Sequence, residues 1–215
     1  TRSGSVTGVQ TCALPIWVGL DKMETAQRLS QGIPFTMEWQ NKKIENFPVN
    51  NHAMPIFRKE ISVKKKIQSA SAFVCGLGQF DFFINGKKVN NHFLDPGWTN
   101  YDQYALYASF DITGYLKKNE NVFGIMLGNG FYFIPNIENR WKPLANAFGY
   151  PSSKAKIIIN YSDGSNEEIG TNSSWKVTEG PVSFTTIFGG EDYDATKELP
   201  GWQKAGYDDS RWHRF

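Results

Sequence analysis

The densest set of groups able to do acid–base or ligand chemistry is Glu191, Asp192 and Asp194, which follow Gly189-Gly190. Paired carboxylates can act as general acid and base, hold a cation, or accept hydrogen bonds from sugar hydroxyls. Acidic clusters after a glycine pair usually end a solvated loop. That is the expectation here, with Glu191 kept as a candidate carbohydrate ligand. Asn129 stands between Gly128 and Gly130. Its amide can donate to one hydroxyl and accept from the next, on a backbone open to close approach. A positive-φ turn is the competing reading of the same tripeptide, and both stand. Trp98, in Asp95-Pro96-Gly97-Trp98, can offer its ring to the apolar face of a pyranose. Its expected place is instead a plug in the end of a domain, because most tryptophans are largely buried.

Metal and thiol chemistry find little support. His52 and His92 lie at no metal-ligand spacing from another His or Cys, which makes them surface histidines. Cys75 sits in the apolar run Ala72-Phe73-Val74-Cys75-Gly76 and is expected to be a buried thiol, not a nucleophile. No disulfide framework exists, so cysteine usage assigns no compartment.

These groups have to be positioned by strands. Aromatics make up 15% of the 215 residues, which favours a β-rich chain. The net charge of +2 comes from interspersed signs, with Lys64-Lys65-Lys66 the one cationic run, so nucleic acid is not an expected partner. No apolar segment approaches the ~20 residues of a membrane-spanning helix, and no membrane partner is expected. Residues 57–63 alternate as a strand, and 69–84 read as two strands broken at Gly76-Leu77-Gly78. Asn85-Gly86 then marks a hairpin, since both residue types tolerate positive φ. Residues 104–110 alternate again, 111–116 read as a short helical turn, and 121–127 as an apolar strand. A long Gly-, Pro- and Asn-rich loop over 128–153 precedes a hairpin around Ser162-Asp163-Gly164-Ser165 and strands at 175–177 and 182–188. Even spacing with almost no helix predicts an all-β, jelly-roll β-sandwich over about 57–198. Residues 17–56 read as a linker or peripheral strand, with one helical turn at 25–29. Trp202 and Trp212 look like hinge-region anchors leading to a further domain, and the run Arg140-Trp141-Lys142 could contact either carbohydrate or that domain.

The run Val6 to Ile16 resembles the translation of a sequencing-library adapter, so residues 1–16, Cys12 included, are set aside as a tail foreign to the fold. A reading frame truncated at both ends is the accompanying expectation.

Several segments, taken in order and spacing, resemble the N-terminal domain of bacterial α-L-rhamnosidases. They include Phe57-Arg58-Lys59-Glu60, Cys75-Gly76-Leu77-Gly78, Phe83-Ile84-Asn85-Gly86-Lys87-Lys88-Val89 and Leu94-Asp95-Pro96-Gly97-Trp98-Thr99-Asn100-Tyr101. Leu127-Gly128-Asn129-Gly130-Phe131-Tyr132, Asp163-Gly164, Ser174-Trp175-Lys176-Val177 and Gly189-Gly190-Glu191-Asp192-Tyr193-Asp194-Ala195 complete the set. The resemblance implies a galactose-binding-like sandwich ahead of a separate (α/α)6 barrel that hydrolyses terminal α-L-rhamnose with inversion. Both working carboxylates would then belong to the barrel. It implies, in some relatives, a calcium loop that falls here on Asn90-Asn91-His92. Asn91 is neutral and His92 is a poor ligand for a hard cation, so no cofactor is expected, although Asn91 and His92 remain candidates for sugar contact. Three functions follow. One is a scaffold packed on the protein's own catalytic domain, with weak contact to a rhamnose-containing glycan. The others are an autonomous rhamnose-binding module and the front sandwich of another glycosidase, such as a β-galactosidase-type enzyme.

Overall fold

The computed structural model describes residues 15–23, 29–33, 47, 49–140 and 145–214. Cys12, residues 25–28 of the turn expected at 25–29, Trp141 and Lys142 lie outside the described residues, while Leu29 opens a strand. In chain order the strands are β1 (Val18–Gly19), β2 (Leu29–Ile33), β3 (Pro55–Val63), β4 (Ile67–Leu77), β5 (Gln79–Ile84), β6 (Lys87–Lys88), β7 (Ala108–Asp111) and β8 (Asn119–Gly128). There follow β9 (Phe133–Ile134), β10 (Ala145–Ala147), β11 (Ser152–Tyr161), β12 (Asn166–Gly170), β13 (Lys176–Glu179), β14 (Val182–Thr186), β15 (Gly190–Tyr193) and β16 (His213–Arg214).

Two antiparallel sheets face each other. One runs β1-β11-β4-β7, with β12 also on β11, and the other β16-β13-β3-β8-β5-β6. Their inner faces follow from alternation. Ala70, Ala72 and Val74 of β4 point inward, as do Phe80, Phe82 and Ile84 of β5 and Ala155, Ile157 and Ile159 of β11. Phe82 stacks on Phe123 at 6.3 Å and meets Phe110 at 5.9 Å, joining the two sheets. Trp175 is fully buried, and its indole N–H donates to the Gly170 carbonyl at 3.0 Å. This is the all-β sandwich that the strand spacing predicted.

Two central strands break the alternation. Pro55 to Arg58 and Asn121 to Ile125 are buried residue after residue. Both faces are covered there: the core lies on one side and the segment 199–212 crosses the other. Trp202 and Trp212 pack with Ile56, flanked by Phe83, Met126 and Tyr207. Arg58, only 2% exposed, fastens this strap. Its Nε donates to the Trp202 carbonyl at 2.9 Å and its Nη2 to the Lys204 carbonyl at 3.0 Å, while Nη1 pairs with Asp209. Lys176 holds the other Asp209 oxygen at 2.5 Å. Gly124 makes room for the Trp202 ring, whose atoms lie 2.6 and 2.8 Å from where a β-carbon would stand. Gly124→Val is therefore expected to push the strap outward and cost about 2 kcal/mol of overpacking. Urea denaturation together with faster proteolysis at 199–212 checks this.

The structure departs from the expected elements in four places. Tyr104 to Tyr107 form no strand, and β7 begins at Ala108. These residues alternate in type but have no neighbour to pair with until β4 takes up Ala108. The long loop carries β9 and β10, which pair with each other. The sandwich extends past 57–198 at both ends, because Val18–Gly19 pair with Ser152–Ser153 and β16 pairs with β13. The run set aside also reaches the sheet. The Ile16 N–H donates to the Thr171 carbonyl at 2.8 Å, and the Thr171 hydroxyl donates to the Ile16 carbonyl at 2.6 Å. The hairpin at Asn85-Gly86 is as expected, with φ of 53° and 83°.

Candidate carbohydrate-contact cleft

An open cleft of about 280 Å³ lies beside the outer face of the second sheet, between β5, β6 and β8 and the β14–β15 hairpin. Strand alternation builds its polar wall. With Phe80 and Phe82 turned inward, Gln79 and Asp81 must face out. The tight Asn85-Gly86 turn then brings Lys88 beside them, 2.6 Å from the Asp81 carboxylate. Lys88 also lies 4.8 Å from the centre of the Phe93 ring, a cation–π contact that tethers an exposed aromatic over the cleft. Glu191 closes the opposite side. Carboxylates, an ammonium and an amide beside apolar Phe93 and Leu94 are the mixture that sugar hydroxyls and C–H faces require.

Of the residues singled out in the sequence, Glu191 alone lines this cleft, together with Gly128 and Gly130. Asn129 does not. Its side chain is 2% exposed, and its Nδ2 donates to the Thr185 carbonyl at 2.7 Å, tying β8 to β14. Its Oδ1 is buried with no hydrogen-bond partner among the described residues, and the positive φ, 53°, belongs to Gly130. The amide is structural because the β14 backbone has taken the donor that a hydroxyl would use. Asn91 and His92 are exposed in the turn after β6. His92 Nδ1 lies 3.2 Å from Asp95 Oδ2. Trp98 overturns the expectation of a plug, being 58% exposed. Phe80 and Phe110 already close the core next to this loop, meeting edge to face at 6.4 Å, so Trp98 is left outside. It lies flat on Phe131 at 4.8 Å with its other face free of ring contacts among the described residues.

The acidic cluster separates into different jobs. Asp192 pairs with Arg140 at 2.5 Å, and that guanidinium lies 4.6 Å from the Phe184 ring centre. Asp194 caps the single 3-10 turn Ala195–Lys197 by accepting from the Thr196 N–H and hydroxyl. Those hydrogen bonds hold its carboxyl below the usual carboxylate range. Among the described residues Glu191 has no such bond, and the three carboxylates do not converge into an acid–base pair. Among the described residues no three His, Cys, Asp or Glu side chains converge on a point suited to a metal. Cys75 is half-buried, and burial pushes its thiol up to about 11 against the pull of Lys154. A thiol so placed is almost wholly protonated at neutral pH and is no nucleophile.

Gln79, Asp81, Lys88 and Phe93 escaped the sequence reading, although the outward parity of Gln79 and Asp81 was legible in the alternation of β5. A model of the α-L-rhamnosidase N-terminal domain matches residues 65–215. The α-L-rhamnosidase of Formosa agariphila is 40% identical over 179 residues, covering 81% of this chain and 19% of the relative. The chain belongs to the α-L-rhamnosidase N-terminal domain family. Its sandwich superposes on the α-L-rhamnosidase of Aspergillus terreus with a TM-score of 0.69 at 32% identity, over 78% of this chain and 20% of that one. It superposes on the Streptomyces avermitilis α-L-rhamnosidase, solved in complex with L-rhamnose, with a TM-score of 0.68 at 26% identity, over 82% and 17%. The chain thus spans about a fifth of the length of the rhamnosidases it matches.

Proposed function

We propose that this chain is a non-catalytic module of an α-L-rhamnosidase, a scaffold that packs on the enzyme's catalytic domain. The observation that carries this reading is the extent of the match: it takes in the N-terminal domain and 19% of the Formosa relative. The dispersal of Glu191, Asp192 and Asp194 into a cleft wall, an ion pair and a cap supports it, since inversion needs two carboxylates facing one glycosidic bond. The purified chain is expected to release no rhamnose from an aryl α-L-rhamnoside. Turnover abolished by Glu191→Gln would overturn the reading.

The cleft favours a second, compatible role in weak glycan contact. Gln79, Asp81, Lys88 and Glu191 offer hydrogen bonds around an apolar strip, but a monosaccharide has few atoms with which to use them. Small ligands gain well under ~1.5 kcal/mol per atom, so a Kd in the millimolar range, about −4 kcal/mol, is expected for L-rhamnose. Glu191→Gln is expected to weaken it by about 1 kcal/mol. Chelation should leave it unchanged, because Asn91 and His92 bring no carboxylate to a calcium loop. Titration calorimetry with and without chelator decides both points.

A further inference from the structure

Among the described residues, six of the eleven large hydrophobic side chains that stand exposed fall within residues 93–107: Phe93, Leu94, Trp98, Tyr104, Leu106 and Tyr107. Scattered exposed hydrophobics are ordinary, but a run of them on one loop marks an interaction surface. The loop is also held rigidly from beneath. The Phe80 N–H donates to the Asp95 carbonyl at 2.7 Å, Trp98 rests on Phe131, and Tyr101 wedges against Tyr132 at 5.1 Å. Tyr107 meets Phe73 edge-on at 6.0 Å. Leu94 adopts a φ of 62° while its side chain is 61% exposed. A leucine in the left-handed region costs free energy, and none of the described residues returns that cost by burying it. Elsewhere the chain covers its own apolar face, as the Trp202–Trp212 strap does over Ile56 and Phe83. Among the described residues, the 93–107 loop has no such cover.

We propose that residues 93–107 form the docking surface for the remainder of the same α-L-rhamnosidase polypeptide, with Trp98 and Tyr107 as its anchors. This rests on the module reading above. The length of the relatives favours this occupant: the matched segment is 17 to 20% of one continuous chain, so about four-fifths of each relative is tethered to it. Tethering supplies an effective concentration in the millimolar range, at which a modest apolar patch suffices. Composition agrees. Residues 93–107 contain no Lys, Arg or Glu, carry two charged residues, Asp95 and Asp102, and are rich in Tyr, Trp and Phe, a composition suited to an interface core. A second copy would lack the tether and would need a standard-sized interface of its own.

Hydrogen exchange on two proteins tests the proposal: this chain alone, and this chain substituted for the matched segment of the Formosa agariphila relative. Backbone amides of residues 97–107 are expected to exchange at least tenfold more slowly in the fusion, while the β3 and β8 amides keep their rates. Trp98→Ser is expected to lower the melting temperature of the fusion by several degrees and to leave that of the isolated chain nearly unchanged, since the ring is exposed there. Equal exchange of the loop in the two proteins would overturn the proposal. So would protection that rises with concentration in the isolated chain alongside a dimeric mass, or protection that appears only with added rhamnose-containing polysaccharide. None of these three results touches the module reading, which stands or falls on the aryl-rhamnoside assay.

Discussion

Arg58→Met is expected to destabilise the isolated chain by about 3–5 kcal/mol, the range for removing one partner of a buried ion pair. Arg58 is 2% exposed and is the joint between the second sheet and the strap. Methionine fills a similar volume but strips the donors from the Trp202 and Lys204 carbonyls and a cation from both Glu60 and Asp209. Lys176 still faces Asp209, so the carboxylate is not left wholly unpaired. The cost is concentrated on the buried carbonyls and on the loosened Trp202 and Trp212 rings. A lowered urea midpoint with an unchanged slope, and proteolytic cleavage appearing within 199–212, are the expected readings. An unchanged midpoint would show that the strap rides on apolar contact alone.

The same arginine shows what could and could not be read from the sequence. The strands around it were legible, because Ile61, Val63, Phe80, Phe82 and Ile84 announce their inner face by parity, and Asn85-Gly86 announces its turn. The burial of Arg58 was not. Glu60 is two residues on, but its other partners lie 144 to 151 residues away along the chain, and no local pattern encodes such a distance. Trp202 and Trp212 were visible as anchors, but the surface they bind lies within the module itself. In the candidate site, Glu191 was found because acidic clusters draw the eye. Asp81 and Lys88 were missed because an isolated charge in a strand reads as mere solvation. Asn129 misled for a specific reason: Gly-Asn-Gly looks open in one dimension, whereas in three β14 lies against it, with the Thr185 carbonyl taking its amide.

The second large effect is expected in the core. Phe82→Ala should cost about 3–5 kcal/mol, the usual range for deleting a buried ring. Phe82 is 2% exposed and touches aromatic rings on both sides, Phe123 from its own sheet and Phe110 from the facing one. No neighbour can swing in to fill the void, because Phe123 is fully buried and Phe110 is nearly so. Phe82→Leu keeps most of the volume and should cost less than half as much. Equilibrium unfolding of the two variants checks the ratio. Equal losses would mean that the rings' stacking, not the filled volume, carries the stability here.

The strap sets an order of events for a ribosome making this protein. Ile56, Arg58 and Gly124 are synthesised long before Trp202 and Asp209, which cover and neutralise them. At roughly 5–20 residues per second, the 151 residues between Arg58 and Asp209 take about ten to thirty seconds to emerge. For that interval a nascent sheet displays an apolar outer face and a guanidinium that has Glu60 but not yet Asp209, a natural target for a chaperone. The sandwich can pair most of its strands early, but it is sealed only when its last residues arrive.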